Sequence, residues 1–215
     1  MLGLPQSTEV KRPLPKAQLY KRFDWSPSQR ERFDAEVSRL DFVNWISPRT
    51  VPAIAVGNEV KEIFVVEVSL KSRDFDTKAI TLLAKNIPQR IVFVLRYEDE
   101  IKLAVYHTKL FMTDWQLITP HSSLLTPNSS FLTIQGLNLD TLWENIVRQI
   151  GNINSSFPTS NSSLSALSEQ IKADEERAKL DRQIATLERQ MNATKQPRRK
   201  RELFVELQKL KRDVR

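Results

Sequence analysis

Glu62-Ile63-Phe64-Val65-Val66-Glu67-Val68-Ser69-Leu70 is the strongest strand signal in this 215-residue chain, rich in β-branched and aromatic residues, and it predicts a strand in the middle of a sheet. Upstream, Val51 to Val56 and Leu40 to Ile46 read as two further strands, with Gly57-Asn58 as the turn into the central one. Before them, Ser26-Pro27-Ser28-Gln29 is a helix start. Ser26 is the N-cap, Pro27 takes the first helical position, and Gln29 reaches back as the capping-box partner. This helix is expected to run to about Arg39 with Phe33, Val37 and Leu40 on its inner face. Pro5, Pro13 and Pro15 mark an extended arm ahead of a short helix from Lys16 to Phe23.

Downstream of the central strand, Asp76 can cap a helix from Thr77 to Asn86, which Pro88 stops. Arg90 to Leu95 and Ile101 to His107 predict a hairpin around Glu98-Asp99-Glu100, and Lys109 to Trp115 a further strand. After a polar loop from Thr119 to Thr133, Thr141 followed by Glu144 suggests a last helix start, burying Leu142, Ile146, Val147 and Ile150 and ending at Gly151. Strands alternating with helices predict a mixed α/β (α+β) class for residues 1–151. Residues 152–163, dense in Ser and Asn, read as a linker.

Residues 164–215 follow another rule. Leu180, Ile184, Leu187 and Met191 recur at steps of four and three, and the alternation returns at Leu203, Leu207, Leu210 and Val214 after a break at Gln196-Pro197. Two seams of similar length around a helix breaker predict a helical hairpin or coiled coil that zips its own arms together or offers a seam to a partner or a second copy.

The net charge of +7 is concentrated in this tail, where 14 Lys/Arg stand against 9 Asp/Glu, compared with 19 against 17 in the first 163 residues. Lys195, Arg198, Arg199, Lys200 and Arg201 cluster at the predicted bend and are the candidate nucleic-acid contacts, because cations at that density neutralise phosphates and release counterions. A solvated helix end accounts for the same cluster, and the segment shows no interleaved aromatics for base stacking.

Composition removes several chemistries. Zero cysteines exclude disulfides, thiol nucleophiles and thiolate zinc. Four scattered glycines write neither a P-loop nor a dinucleotide loop. His107 and His121, the two histidines, have no acid or serine arranged as a recognisable nucleophile set, and two histidines without cysteines predict no zinc site. The four tryptophans, Trp25, Trp45, Trp115 and Trp143, read as core anchors. No apolar run is long enough to span a membrane, and a cytoplasmic placement is expected.

The predicted order of helix, three antiparallel strands, helix and strand resembles the core of the PD-(D/E)xK nucleases. In that fold an Asp on the second strand and an E-x-K on the third bind magnesium and position water, as hard oxygen ligands and a nearby cation suit phosphodiester hydrolysis. Here the third strand offers Glu67-Val68-Ser69, with Ser69 at the lysine position and Lys71 two places on, read as lying on the same face. The predicted second strand carries no carboxylate, and Glu59, Glu62 and Asp41 are the nearest acids. Glu67 and Lys71 are thus the candidate catalytic residues of a divergent magnesium-dependent nuclease. Under the competing, non-catalytic reading no cofactor is expected.

Several short motifs carry a wider resemblance. Leu14-Pro15-Lys16, Ile46-Ser47-Pro48-Arg49-Thr50, Val60 through Val68, Ile87-Pro88 with Ile91 through Leu95, Gly136-Leu137-Asn138-Leu139-Asp140 and Asn145 through Ile150 occur in an order that resembles the bacterial and archaeal domain-of-unknown-function family 4391. In the tail, Lys195-Gln196, Arg201-Glu202-Leu203 and Glu206-Leu207 resemble its basic hairpin, although an asparagine tends to stand there where this chain has Phe204 or Val205. The resemblance implies proteins encoded beside helicases and DNA methyltransferases in restriction and antiviral-defence clusters, and it transfers no catalytic residue. The expectation is a non-catalytic accessory protein of a DNA-processing or defence complex that binds a helicase, a methyltransferase or nucleic acid.

Overall fold

The computed structural model describes residues 2–118, 132–153, 164–194 and 196–213, so most of the expected polar loop, most of the expected linker, His121, Lys195 and Val214 lie outside the described residues. It divides into two compact units, 1–164 and 165–215.

The first unit is built on a mixed sheet of seven strands: β1 (Glu9–Pro13), β2 (Val37–Ile46), β3 (Ile63–Leu70), β4 (Arg90–Tyr97), β5 (Glu100–Tyr106), β6 (Leu110–Met112) and β7 (Gln116–Leu117). The order is β1-β2-β3-β4-β5-β6, with β7 also pairing with β5. All pairs are antiparallel except β3 with β4, which run parallel because α3 (Thr77–Asn86) crosses between them. β3 is interior as expected, and its buried residues, Ile63, Val65, Val66, Val68 and Leu70, include neighbours that point to opposite faces.

On one face, α1 (Lys16–Arg22), α2 (Pro27–Glu36) and α3 enclose a core of Leu19, Trp25, Phe33, Val37, Leu40, Val66, Val68, Ile80, Leu83, Phe93 and Leu95. Leu110 and Met112 of β6 pack against that core, so Phe111 between them faces the other way. There its ring lies 2.9 Å from the position a Cβ on Gly151 would occupy, which places α4 (Leu139–Gly151) on the second face. α4 buries Leu139, Leu142, Trp143, Ile146, Val147 and Ile150. Trp25 and Trp143 are core anchors as expected, while Trp115 is only partly buried.

Three expectations fail for identifiable reasons. The helix from Ser26 keeps its predicted capping box but ends at Glu36, because Val37 and Arg39 pair with Leu70 and Ser69 and lengthen β2. Val51 to Val56 forms no strand. The Thr50 hydroxyl binds Ser47 N–H and Trp45 C=O, successive turns follow, and Pro52 has no N–H to give a ladder. The segment docks instead on the entrance to α4, through Ala55 N–H to Leu137 C=O and Leu139 N–H to Ala55 C=O. The order around the central strand is therefore α2-β2-β3-α3-β4, one strand short of the nuclease-like core. The third failure is at α4, whose cap is Asn138, boxed with Thr141, one turn earlier than expected.

Of the arm before α1, expected to be extended, Gln6–Thr8 forms one 3-10 turn and Glu9–Pro13 forms β1, the outer strand. It carries Pro13, a register shift between Glu9 and Arg12, and Lys11 with φ of 48°. The predicted strand from Lys109 to Trp115 shortens to β6, which ends at Met112 before the Thr113 hydroxyl accepts from Leu103 N–H, and β7 follows beyond the predicted range.

The second unit consists of most of α5 (Leu164–Ala193) and all of α6 (Pro197–Asp213). Leu180, Ile184, Leu187 and Met191 are the half-buried line of α5, while Leu203 and Leu207 are buried on α6 and Leu210 is half-buried. Leu187 and Leu210 line one groove between the helices, and Lys211 Nζ on α6 meets Glu188 on α5 at 2.9 Å.

Candidate functional site

Two of the acids of the nuclease reading, Asp41 and Glu67, lie on the sheet face away from α1–α3. Leu40 and Phe42 pack into the core on that helical side, as do Val66 and Val68, so Asp41 and Glu67 between them project to the opposite face, where they are direct cross-strand partners. Two adjacent carboxylates repel, and each is met by an arginine. Arg39 grips Asp41 with both Nε (2.6 Å) and Nη2 (2.7 Å), and Arg96 Nη1 stands 3.6 Å from Glu67. Glu67 and Arg96 form one edge of a cavity of about 250 Å³ whose other walls include Val43, Asn44, Val94 and Ile101. Glu62 accepts from Trp45 Nε1 at 3.0 Å, and Glu59 lies 4.0 Å from Arg90. Among the described residues no three His, Cys, Asp or Glu side chains gather as a metal-binding group.

Lys71 is not brought to Glu67. It lies just past the last residue of β3, where pleat alternation no longer fixes its direction. Its ammonium donates to the main-chain carbonyl of Asp34 at 2.6 Å, and its main-chain N–H donates to Glu36 on α2. Close by, Asp34 accepts from Lys16 Nζ (2.8 Å) and Tyr20 Oη (2.7 Å). Burial works to raise the Asp34 carboxyl, but these two hydrogen bonds and the charges of Lys16 and Lys71 hold it below its ordinary value. Tyr20 is pushed up, by burial first and then by the Asp34 carboxylate. This knot fastens α1 to α2 and the end of β3. The sequence gives no signal for it, since its four residues come from α1, α2 and the end of β3.

His107 directly follows β5 beneath α4, where Trp143 Nε1 donates to its Nδ1 at 3.5 Å and Arg90 stacks over the Trp143 ring at 5.7 Å. Burial lowers its pKa, and the Arg90 charge lowers it further against weaker opposing effects from the Leu164 main chain, Glu59 and Glu144. A histidine with a depressed folded-state pKa contributes stability above its unfolded value of about 6.5 that is lost as the pH falls. His107→Gln is therefore expected to reduce the drop in melting temperature between about pH 7 and pH 5. An unchanged acid slope in the variant would refute this.

The basic cluster lies at the start of α6. Arg198, Lys200 and Arg201 are exposed, whereas the Arg199 side chain and Lys195 lie outside the described residues. Arg198 stands 3.8 Å from Glu202 one turn on, and the Lys200 N–H closes the first turn on Gln196 C=O. One turn beyond Lys200 and Arg201, Phe204 and Val205 are exposed, at 49% and 62%. The apolar seam of α6 runs through Leu203 and Leu207, so both side chains fall outside it. The cluster is legible in sequence; its exposed aromatic neighbour is not, because Phe204 stands beyond the cations instead of interleaving with them.

Among the described residues no helix is long and apolar enough to cross a membrane. Comparison with curated proteins and with solved structures finds no match. A family model described as Domain of unknown function (DUF4391) matches residues 2–214. It takes in the sheet, the Asp140-bearing entrance to α4 and both tail helices, and the chain belongs to that family.

Proposed function

We propose that this protein is a non-catalytic, nucleic-acid-binding accessory module that works in the cytoplasm beside a helicase or methyltransferase of a DNA-processing or antiviral-defence system. The observation that carries the reading is the exposed group of Arg198, Lys200 and Arg201 on the first turns of α6. Helix N-termini present N–H groups and a partial positive charge to anions, and the cations add counterion release. The engagement of Asp41 and Glu67 by Arg39 and Arg96, and of Lys71 by α2, supports a binding role over hydrolysis at that face. In this reading the sheet unit is a scaffold, and the tail is the part that meets nucleic acid and partner proteins.

The test is binding of labelled DNA and RNA across a salt series. Replacing Arg198, Arg199, Lys200 and Arg201 together with Gln is expected to weaken binding and to flatten the log–log salt slope by roughly 0.7 to 0.9 per lost phosphate contact. The melting temperature should barely move, because exposed charges contribute little to folding. Absence of binding by the unaltered protein at low salt, where attraction is least screened, would refute the proposal. Magnesium in the same mixtures should leave the strands intact. Cleavage lost in Glu67→Ala would favour the nuclease alternative instead.

A further inference from the structure

The geometry points to single-stranded nucleic acid as the ligand of the α6 surface, with the Phe204 ring stacking on a base while Lys200 and Arg201 hold the neighbouring phosphates. This rests on the phosphate-binding reading above and adds a preference for unpaired strands. Lys200 and Arg201 precede Phe204 by four and three positions, so all three side chains rise from one face of α6. Phe204 is 49% exposed and the adjoining Val205 62%, whereas Leu203 and Leu207 one step around the helix are buried, so the ring is left over after the hairpin seam is filled. An exposed benzyl group beside two cations matches the pairing of π-face and positive charge that single-strand binders use, since every base has a face to stack and every nucleotide a phosphate.

A duplex offers that ring nothing, because its bases are already stacked and their faces hidden. It still offers phosphates to the cations. The two ligands therefore separate the ring's contribution from that of the charge.

The experiment compares fluorescence anisotropy of a labelled oligothymidylate of about 20 nucleotides with that of a duplex of similar length. The proteins are the full chain, Phe204→Ala, Phe204→Trp and the four-fold Gln variant. Phe204→Ala is expected to weaken single-strand binding by about tenfold and to leave duplex binding within about twofold, the loss expected when one stacked base is released. Phe204→Trp should restore or strengthen single-strand binding. Circular dichroism should be unchanged, since the ring is exposed. Equal losses on both ligands, or no loss on either, would overturn the stacking role while leaving the phosphate reading intact if the four-fold Gln variant still fails to bind. Failure of the unaltered protein to bind either ligand would overturn both.

Discussion

Arg148→Met is expected to destabilise the first unit by about 3–5 kcal/mol, the range found when one partner of a buried ion pair is removed. Glu144 is 3% exposed in the middle of α4, and its Oε1 accepts from Arg148 Nη2 at 2.7 Å and Nε at 3.1 Å. Its neighbours in sequence, Trp143, Ile146 and Val147, are fully buried. Without the guanidinium the buried carboxylate loses both of its donors and is left without the cation that offsets its desolvation. The double variant Glu144→Leu/Arg148→Met should recover most of the loss, because an apolar pair of similar volume removes both desolvation costs. Urea unfolding of the four proteins checks this. A single-variant cost below about 1 kcal/mol would mean that water reaches Glu144 and the pair acts as a surface bridge.

Asp140→Ala is expected to cost about 2–4 kcal/mol, since a hydrogen bond to a charged group contributes about 1.5–3 kcal/mol and the buried Val60 N–H loses its own outright, while water replaces the acceptor at the exposed Asn58 and Glu59. The Asp140 carboxylate accepts from the N–H groups of Asn58, Glu59 and Val60, at 2.7 Å for Val60, which is itself buried. It also lies in the first turn of α4, where a negative charge is favoured by the helix dipole. The loop approaches so closely that a Cβ on Gly57 would come within 2.3 Å of Asp140 Oδ1. Gly57→Ala should therefore damage the same clasp from the other side. Hydrogen exchange at Val60 reads the effect locally, and protection that survives Asp140→Ala would show that the loop is held by other contacts.

The clasp also explains which parts of the fold were legible. Helix starts with one cap candidate, Ser26 with Gln29 and Asp76 before Thr77, read correctly because the local hydrogen bond is the determining interaction. At α4, Asn138/Thr141 and Thr141/Glu144 are both cap-and-partner pairs at the same spacing. Only burial of Leu139 and the diversion of Glu144 to Arg148 select the earlier one. Val51 to Val56 has strand-like residues, but it docks through Ala55 on Leu137 and Leu139, more than eighty positions away in the chain, and no local pattern carries that. Neither could β1 be read, since Val10 is the one apolar side chain among Glu9, Lys11, Arg12 and Pro13. The candidate acids show the same division. The partial E-x-K spacing marked Glu67 and Lys71, while the strand end that turns Lys71 toward α2 is a property of the folded sheet.

The outer strand has a consequence for how the molecule behaves in company. An uncovered strand edge is a template on which further chains can add, which is how many sheet proteins begin to aggregate. β1 presents Lys11 and Arg12, interrupts its ladder with Pro13, and twists out of register at the left-handed Lys11. Each of these features spoils the straight, uncharged hydrogen-bonding rail that another strand would need, so crowding alone does not turn this edge into the seed of a fibril.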